Sequence, residues 1–191
     1  MNDFFLATNR SITVADVEVF QLQMHNFDEW AGHAQKIKEL LKGKVHSDEI
    51  LKELLKAHTA HVMIVVSKST HKTIDELIPI VEASESVFLE VIEAVIKVNN
   101  AYFSDLELPK KRGRKSEEKN TWFDAFQMLI SVGHTHESIM AMSYGAFNSY
   151  LKSAQNSQRS QMRSQTNLMR AAQHANAKEF KKLIEELKTE Q

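Results

Sequence analysis

Apolar residues recur at helical spacing along most of this chain. Phe27, Trp30, Ala34, Ile37, Leu40 and Leu41 form one stripe that stops before Gly43. Ser47 then stands at a cap position, with Asp48 and Glu49 behind it, and Ile50, Leu51, Leu54, Leu55, His58, Val62 and Val65 follow. The run Val62–Val66 is apolar all round and predicts deep burial. Thr73 and Glu76 make a Thr-x-x-Glu capping box for a helix that Pro79 should cut short. Ser84 or Ser86 opens the strongest pattern: Val87, Phe88, Val91, Ile92, Val95, Val98, Asn99 and Tyr102.

Two N-terminal stretches are ambiguous. Asp3 to Thr8 is short and apolar and fits a strand or a loose arm equally. Thr13 with Asp16 is a partial capping box, and Val14, Val17, Phe20 and Met24 at helical spacing predict a helix there. Residues 17–22 also alternate, as a strand would.

The pattern breaks after Phe103. Pro109 bars helix continuation, and Lys110, Lys111, Arg112, Arg114 and Lys115 surround Gly113 with positive charge. Such a run repels itself and has nothing apolar to bury, which predicts a solvated linker. Helical spacing resumes at Trp122. Thr121 and Asp124 cap a helix with Trp122, Phe123, Phe126, Leu129 and Ile130, ended by Gly133. Thr135 caps a short helix with Ile139 and Met142, and a third starts near Ser143 with Phe147, Tyr150 and Leu151. Residues 153–167 are rich in Ser, Gln, Asn and Arg and fit a long exposed helix or a disordered arm. Phe180, Leu183, Ile184 and Leu187 predict one last short amphipathic helix. The fold expected is mainly α: an N-terminal helical domain over 1–108, a basic linker over 109–120, and a smaller helical extension over 121–191 with a long polar arm.

Composition supports this architecture. Of 191 residues only two are proline and five glycine, too few for an all-β chain full of turns, and 42% hydrophobic content suffices for a core. With no cysteine there is no disulfide scaffold, thiol nucleophile or thiolate zinc site. No apolar run reaches the roughly 20 residues that span a bilayer, and Met1–Arg10 shows no signal-peptide pattern; a soluble, cytosolic protein is the expectation. The near-zero net charge hides an asymmetry. Residues 1–109 carry 10 Lys/Arg against 17 Asp/Glu, whereas 110–191 carry 14 against 8.

Candidate chemistry is sparse. Among nine histidines, His58 and His61 share a helix face and His134 and His136 flank Thr135, but no third ligand stands at zinc spacing. The glycines are too scattered for a phosphate loop, and no nucleophile elbow is present. Neither a catalytic residue nor a cofactor is therefore expected. Lys-Lys-Arg-Gly-Arg-Lys resembles the core of an AT-hook, with Lys111, Arg112, Arg114 and Lys115 as the contacts to a minor groove. Gly133-His134-Thr135 resembles a helix-turn-helix connection, with Asn148 and Lys152 on the following helix. A DNA-binding protein is the alternative these features allow. The aromatic residues Phe27, Trp30, Phe88, Tyr102, Phe103, Trp122, Phe123 and Phe126 mostly belong to cores, but one pair favours a protein-binding module. Trp122 and Phe123 are adjacent, so they point to different sides of a helix, and one should face outward.

The order of these patterns resembles the tail assembly chaperones of Mu-like and related tailed phages. The resemblance rests on Ile12-Thr13-Val14, on Ile50-Leu51-x-x-Leu54-Leu55, and on Phe88-Leu89-x-x-Ile92-x-x-Val95-x-x-Val98-Asn99-x-x-Tyr102-Phe103. Tyr102-Phe103 stands where that family often has a doubled Phe. Residues 110–191 resemble the charged, helical extension that a programmed translational frameshift adds in many such phages. The resemblance implies a non-enzymatic chaperone in the host cytoplasm, absent from the mature virion. It would coat the tape-measure protein, recruit tail-tube subunits and have scope for self-association, with no membrane and no nucleic acid involved. The partner-binding positions it suggests are Phe27, Trp30, Phe88, Val91, Val95, Asn99, Tyr102 and Phe103, with Trp122, Phe123 and Phe126 in the extension.

Overall fold

A computed structural model describes residues 3–44, 47–104 and 121–174, together with 176, 178, 180–182, 184 and 185. The segment 109–120, expected to be a basic linker, lies outside the described residues, as do Leu183 and Leu187. The chain is mainly helical. Its elements are α1 (Asp3–Ala7), β1 (Ile12–Val14), β2 (Val17–Val19), a 3-10 turn (Met24–Asn26), α2 (Phe27–Leu41), α3 (Asp48–Thr70), α4 (Ile74–Ala83), α5 (Glu85–Val98) and α6 (Asn100–Phe103). After the undescribed stretch come α7 (Trp122–Ser131), α8 (His136–Met140) and α9 (Tyr144–His174).

The first unit, Met1–Tyr150, is built around α5. Phe88, Leu89, Val91, Ile92, Ala94, Val95, Ile96 and Val98 are all buried there, because α3, α4 and the β1–β2 hairpin pack about the helix. Ser84 caps it by accepting from the Val87 N–H. Burial on this scale is the main stabilising term, about 1.5–3 kcal/mol for each large apolar side chain.

Local structure differs from the sequence expectation in three places. Asp3–Ala7 is a helix, not a strand or loose arm. Residues 12–19 form an antiparallel hairpin with Ile12 opposite Val19 and Val14 opposite Val17. The alternation therefore prevails over the helical spacing: Val17 and Val19 are buried and Glu18 between them is exposed. Ala15 and Asp16 both take positive φ, 47° and 61°, as a two-residue hairpin loop requires, so the Thr13 capping box never forms. The third departure is Pro79, which does not end α4. The helix continues to Ala83 past an exposed proline, whose missing N–H leaves only the Asp75 carbonyl for water. α3 also bends, at His58, where φ is −134° and ψ is 34°.

The two compact units part after Tyr150, not in the basic segment. Residues 121–150 pack with the N-terminal elements. The Met24 N–H donates to the Met142 carbonyl (2.9 Å), the Tyr144 N–H donates to the Leu22 carbonyl (2.9 Å), and Gln23 bridges to Ser143. Gly145 lets the start of α9 approach closely, since a Cβ there would lie 2.9 Å from Leu6 Cδ2 and 3.1 Å from Ala101 Cβ and both would have to shift. In the second unit, Leu151–Gln191, α9 continues as a helix to His174 with almost every residue exposed. Of the two alternatives for 153–167, the helix is formed. Among the described residues no helix is long and apolar enough to cross a membrane.

Candidate partner-binding surface

α7 is a short helix held firmly at both ends. At its start the Thr121 hydroxyl accepts from the Asp124 N–H (3.3 Å) while the Asp124 carboxylate accepts from the Thr121 N–H (2.6 Å). Those hydrogen bonds, the backbone one foremost, hold the Asp124 carboxyl below the usual range. At its end Gly133, with φ 103°, turns the chain, and the Gly133 N–H caps the Ile130 carbonyl (3.0 Å). Leu129 anchors the inner side and is fully buried. Four apolar side chains on α7 or just past its end are exposed. Phe123 is 79% exposed, Val132 52%, Trp122 45% and Ile130 42%.

Trp122 joins this surface to the core. Its ring lies 4.7 Å from Phe27 and 5.8 Å from Phe147. Phe27 in turn meets Trp30 edge-on at 4.9 Å, and Trp30 meets Tyr102 at 5.0 Å. On the outer side Phe126 bridges Phe147 to Phe123, at 6.0 and 6.1 Å. An unbroken series of rings thus leads from fully buried Trp30 to exposed Phe123. Offset and edge-to-face pairs at such distances are favourable beyond their burial, so the exposed ring sits on a rigid support. Tyr102 closes the inner end, where its hydroxyl donates to the Ala31 carbonyl (3.0 Å). Burial, with Tyr144 and Glu39 nearby, pushes its phenol up to about 12, so it stays a neutral donor.

The other positions suggested for partner binding are interior. Trp30, Phe88, Val91, Val95 and Phe103 are buried core residues, and Phe27 and Tyr102 are half-buried against the same core. Asn99 is also buried, and its side chain is fully used. Its Oδ1 accepts from the Leu22 N–H (2.7 Å), and its Nδ2 donates to the Val95 carbonyl (2.9 Å) and to Ser69 Oγ (3.3 Å). The Val-Asn-x-x-Tyr-Phe segment therefore ties the fold together instead of facing a partner. Only Trp122, Phe123 and Phe126 belong to the exposed ridge. Ile130, expected on the helix, is exposed on the same side as Phe123, and Val132, exposed just past the helix end, was not anticipated. Tyr144, also unanticipated, stacks on Phe27 at 5.8 Å. Its one sequence signal was the i, i+3 spacing from Phe147.

Lys111, Arg112, Arg114 and Lys115, the contacts of the DNA-binding alternative, lie outside the described residues. The Gly133 turn does join two short helices, α7 and α8. His58 and His61 stand 5.8 Å apart, and His61 Nδ1 faces His33 Nδ1 on α2 at 2.8 Å, so one of these two nitrogens carries a proton and the other accepts it. Among the described residues no three His, Asp or Glu side chains are grouped to hold a metal ion. No protein-family model matches the chain, and no curated protein or solved structure is significantly similar to it.

Proposed function

We propose that this chain is a protein-binding module without catalytic activity that serves as a phage tail assembly chaperone. It binds the tape-measure protein, keeps it soluble in the host cytoplasm, and recruits tail-tube subunits. It leaves before the virion is mature. The observation that carries this reading is the bare aromatic ridge of α7. Exposed large apolar side chains grouped on a capped helix are characteristic of interaction sites, and an exposed aromatic anchor packed against its neighbours loses little entropy on binding. The ridge lies in the stretch whose resemblance is to the tube-recruiting extension, so the tube subunit is its partner here. The tape measure then meets other exposed residues, because Trp30, Phe88, Val91, Val95 and Phe103 offer it no surface.

Phe123→Ala is the cleanest test. The side chain is so exposed that its loss should barely change stability, whereas truncating a central aromatic anchor costs about 2 kcal/mol in binding, roughly thirtyfold. On co-expression, the full chain should keep the tape-measure protein soluble and co-purify with tube protein. The Phe123→Ala variant should still solubilise the tape measure but lose the tube protein. Retention of tube protein by the variant would remove the ridge from the account. An insoluble tape measure in the presence of the full chain would remove the chaperone assignment itself.

A further inference from the structure

In the second unit α9 displays two stripes that run side by side. At 100° per residue, Lys152, Arg159, Arg163 and Arg170 fall within about 40° of one another, and all are exposed. Met162 and Met169 lie about a quarter turn away and are 59% and 66% exposed. From Tyr144 to His174 there is no Asp or Glu. The i, i+4 pairs that normally neutralise an exposed helix are therefore absent, and none of the four cations has an ion pair with a described residue.

α4, in the first unit, carries the complement. Ile74 and Ile78 are exposed one turn apart. Asp75 and Glu82 form an exposed acidic line beside them, and α4 has no Lys or Arg. The spacings agree. Asp75 and Glu82 are seven residues apart, as are Arg163 and Arg170, about 10.5 Å along a helix. The offset from apolar to charged stripe runs in the same rotational sense on both helices, so the two faces match when the helices run antiparallel. Setting Glu82 against Arg163 and Asp75 against Arg170 drops Met169 between Ile74 and Ile78.

We propose that α9 of one copy of this chain docks antiparallel on α4 of a second copy, through these paired stripes. The charge balance of the chain favours this occupant over a foreign one. Its acidic and basic parts nearly cancel to a net −1, so whole copies do not repel, and near-neutral chains with segregated charge tend to associate. The contact joins two different faces, so it is heterologous and propagates from copy to copy unless a ring closes. It stands apart from the partner-binding role of α7 and needs only the purified chain.

Sedimentation equilibrium of the full chain tests it. The weight-average mass should rise with protein concentration at about 50 mM salt and fall back at about 500 mM, where exposed ion pairs are screened. Arg163→Glu with Arg170→Glu should weaken association by roughly tenfold or more, as should Asp75→Lys with Glu82→Lys. An equimolar mixture of the two charge-reversed proteins, each confirmed folded by circular dichroism, should restore association between them. Met169→Lys tests the apolar part of the same contact, and should also weaken it should a double variant misfold. A mass independent of concentration would overturn the proposal, as would docking within one chain. So would reversed variants that associate like the parent, or a mixture that fails to recover. Association abolished by nuclease treatment would mean that the stripe binds nucleic acid instead.

Discussion

Asn99 shows how a single polar residue can organise a helical core. It ends α5 and reaches Leu22 and Ser69, 77 and 30 positions away in sequence. Replacing it with Ala would leave the buried Leu22 N–H and the Ser69 hydroxyl without these partners. That costs the desolvation of each orphaned group as well as the lost bonds, about 2–4 kcal/mol in all. Urea denaturation of Asn99→Ala should show a lower midpoint with an unchanged slope, and a change within about 0.5 kcal/mol, typical of a surface site, would contradict the buried role. The sequence places Asn99 in the helical pattern and among the partner-binding positions instead. Only the long-range fold brings its partners to it. Trp30, Phe88 and Phe103, whose aromatic stripes read mainly as core, are buried as that reading expects, although they also stand among the suggested partner-binding positions.

At the scale of elements, local chemistry was the most legible. The Thr73–Glu76 and Thr121–Asp124 boxes and the Ser84 cap all form where the sequence has them, since each needs only residues three apart. The hairpin was not legible, because a six-residue stretch can satisfy both periods and the choice falls to packing against α5. The boxes also set an acid dependence. Hydrogen bonds from Thr73 and Thr121, backbone first and side chain second, hold Glu76 and Asp124 below their ordinary values of 4.5 and 3.8. A carboxyl whose folded pKa is depressed stabilises the fold above its unfolded pKa and loses that contribution as pH falls through the folded one. Stability should therefore decline as pH drops below these ordinary values. In Glu76→Gln the decline should be shallower, because that group no longer titrates. Denaturation midpoints between about pH 6 and pH 3 would check this, and an unaltered slope in Glu76→Gln would assign the acid sensitivity elsewhere.

For the whole molecule, the mainly helical class followed from spacing and from the scarcity of glycine and proline, but the grouping of helices did not. A basic run between two apolar patterns suggests a boundary, yet composition is blind to whether the flanks pack on each other. Trp122 and Phe147 complete an aromatic layer begun by Phe27 and Trp30, and the backbone bonds of Met24 and Tyr144 fasten the same seam. The account rests on this arrangement, since it is what makes the α7 ridge rigid and leaves Phe123 as its outward anchor. Thermal and urea unfolding of a fragment ending at Tyr150, compared with one ending at Leu108, tests it most directly. The longer fragment should melt in one cooperative transition. The shorter one, stripped of the rings and backbone partners contributed by residues 121–150, should be less stable by about 3 kcal/mol or more. Equal midpoints and equal cooperativity in the two fragments would contradict the account, for they would mean that residues 121–150 add nothing to the core.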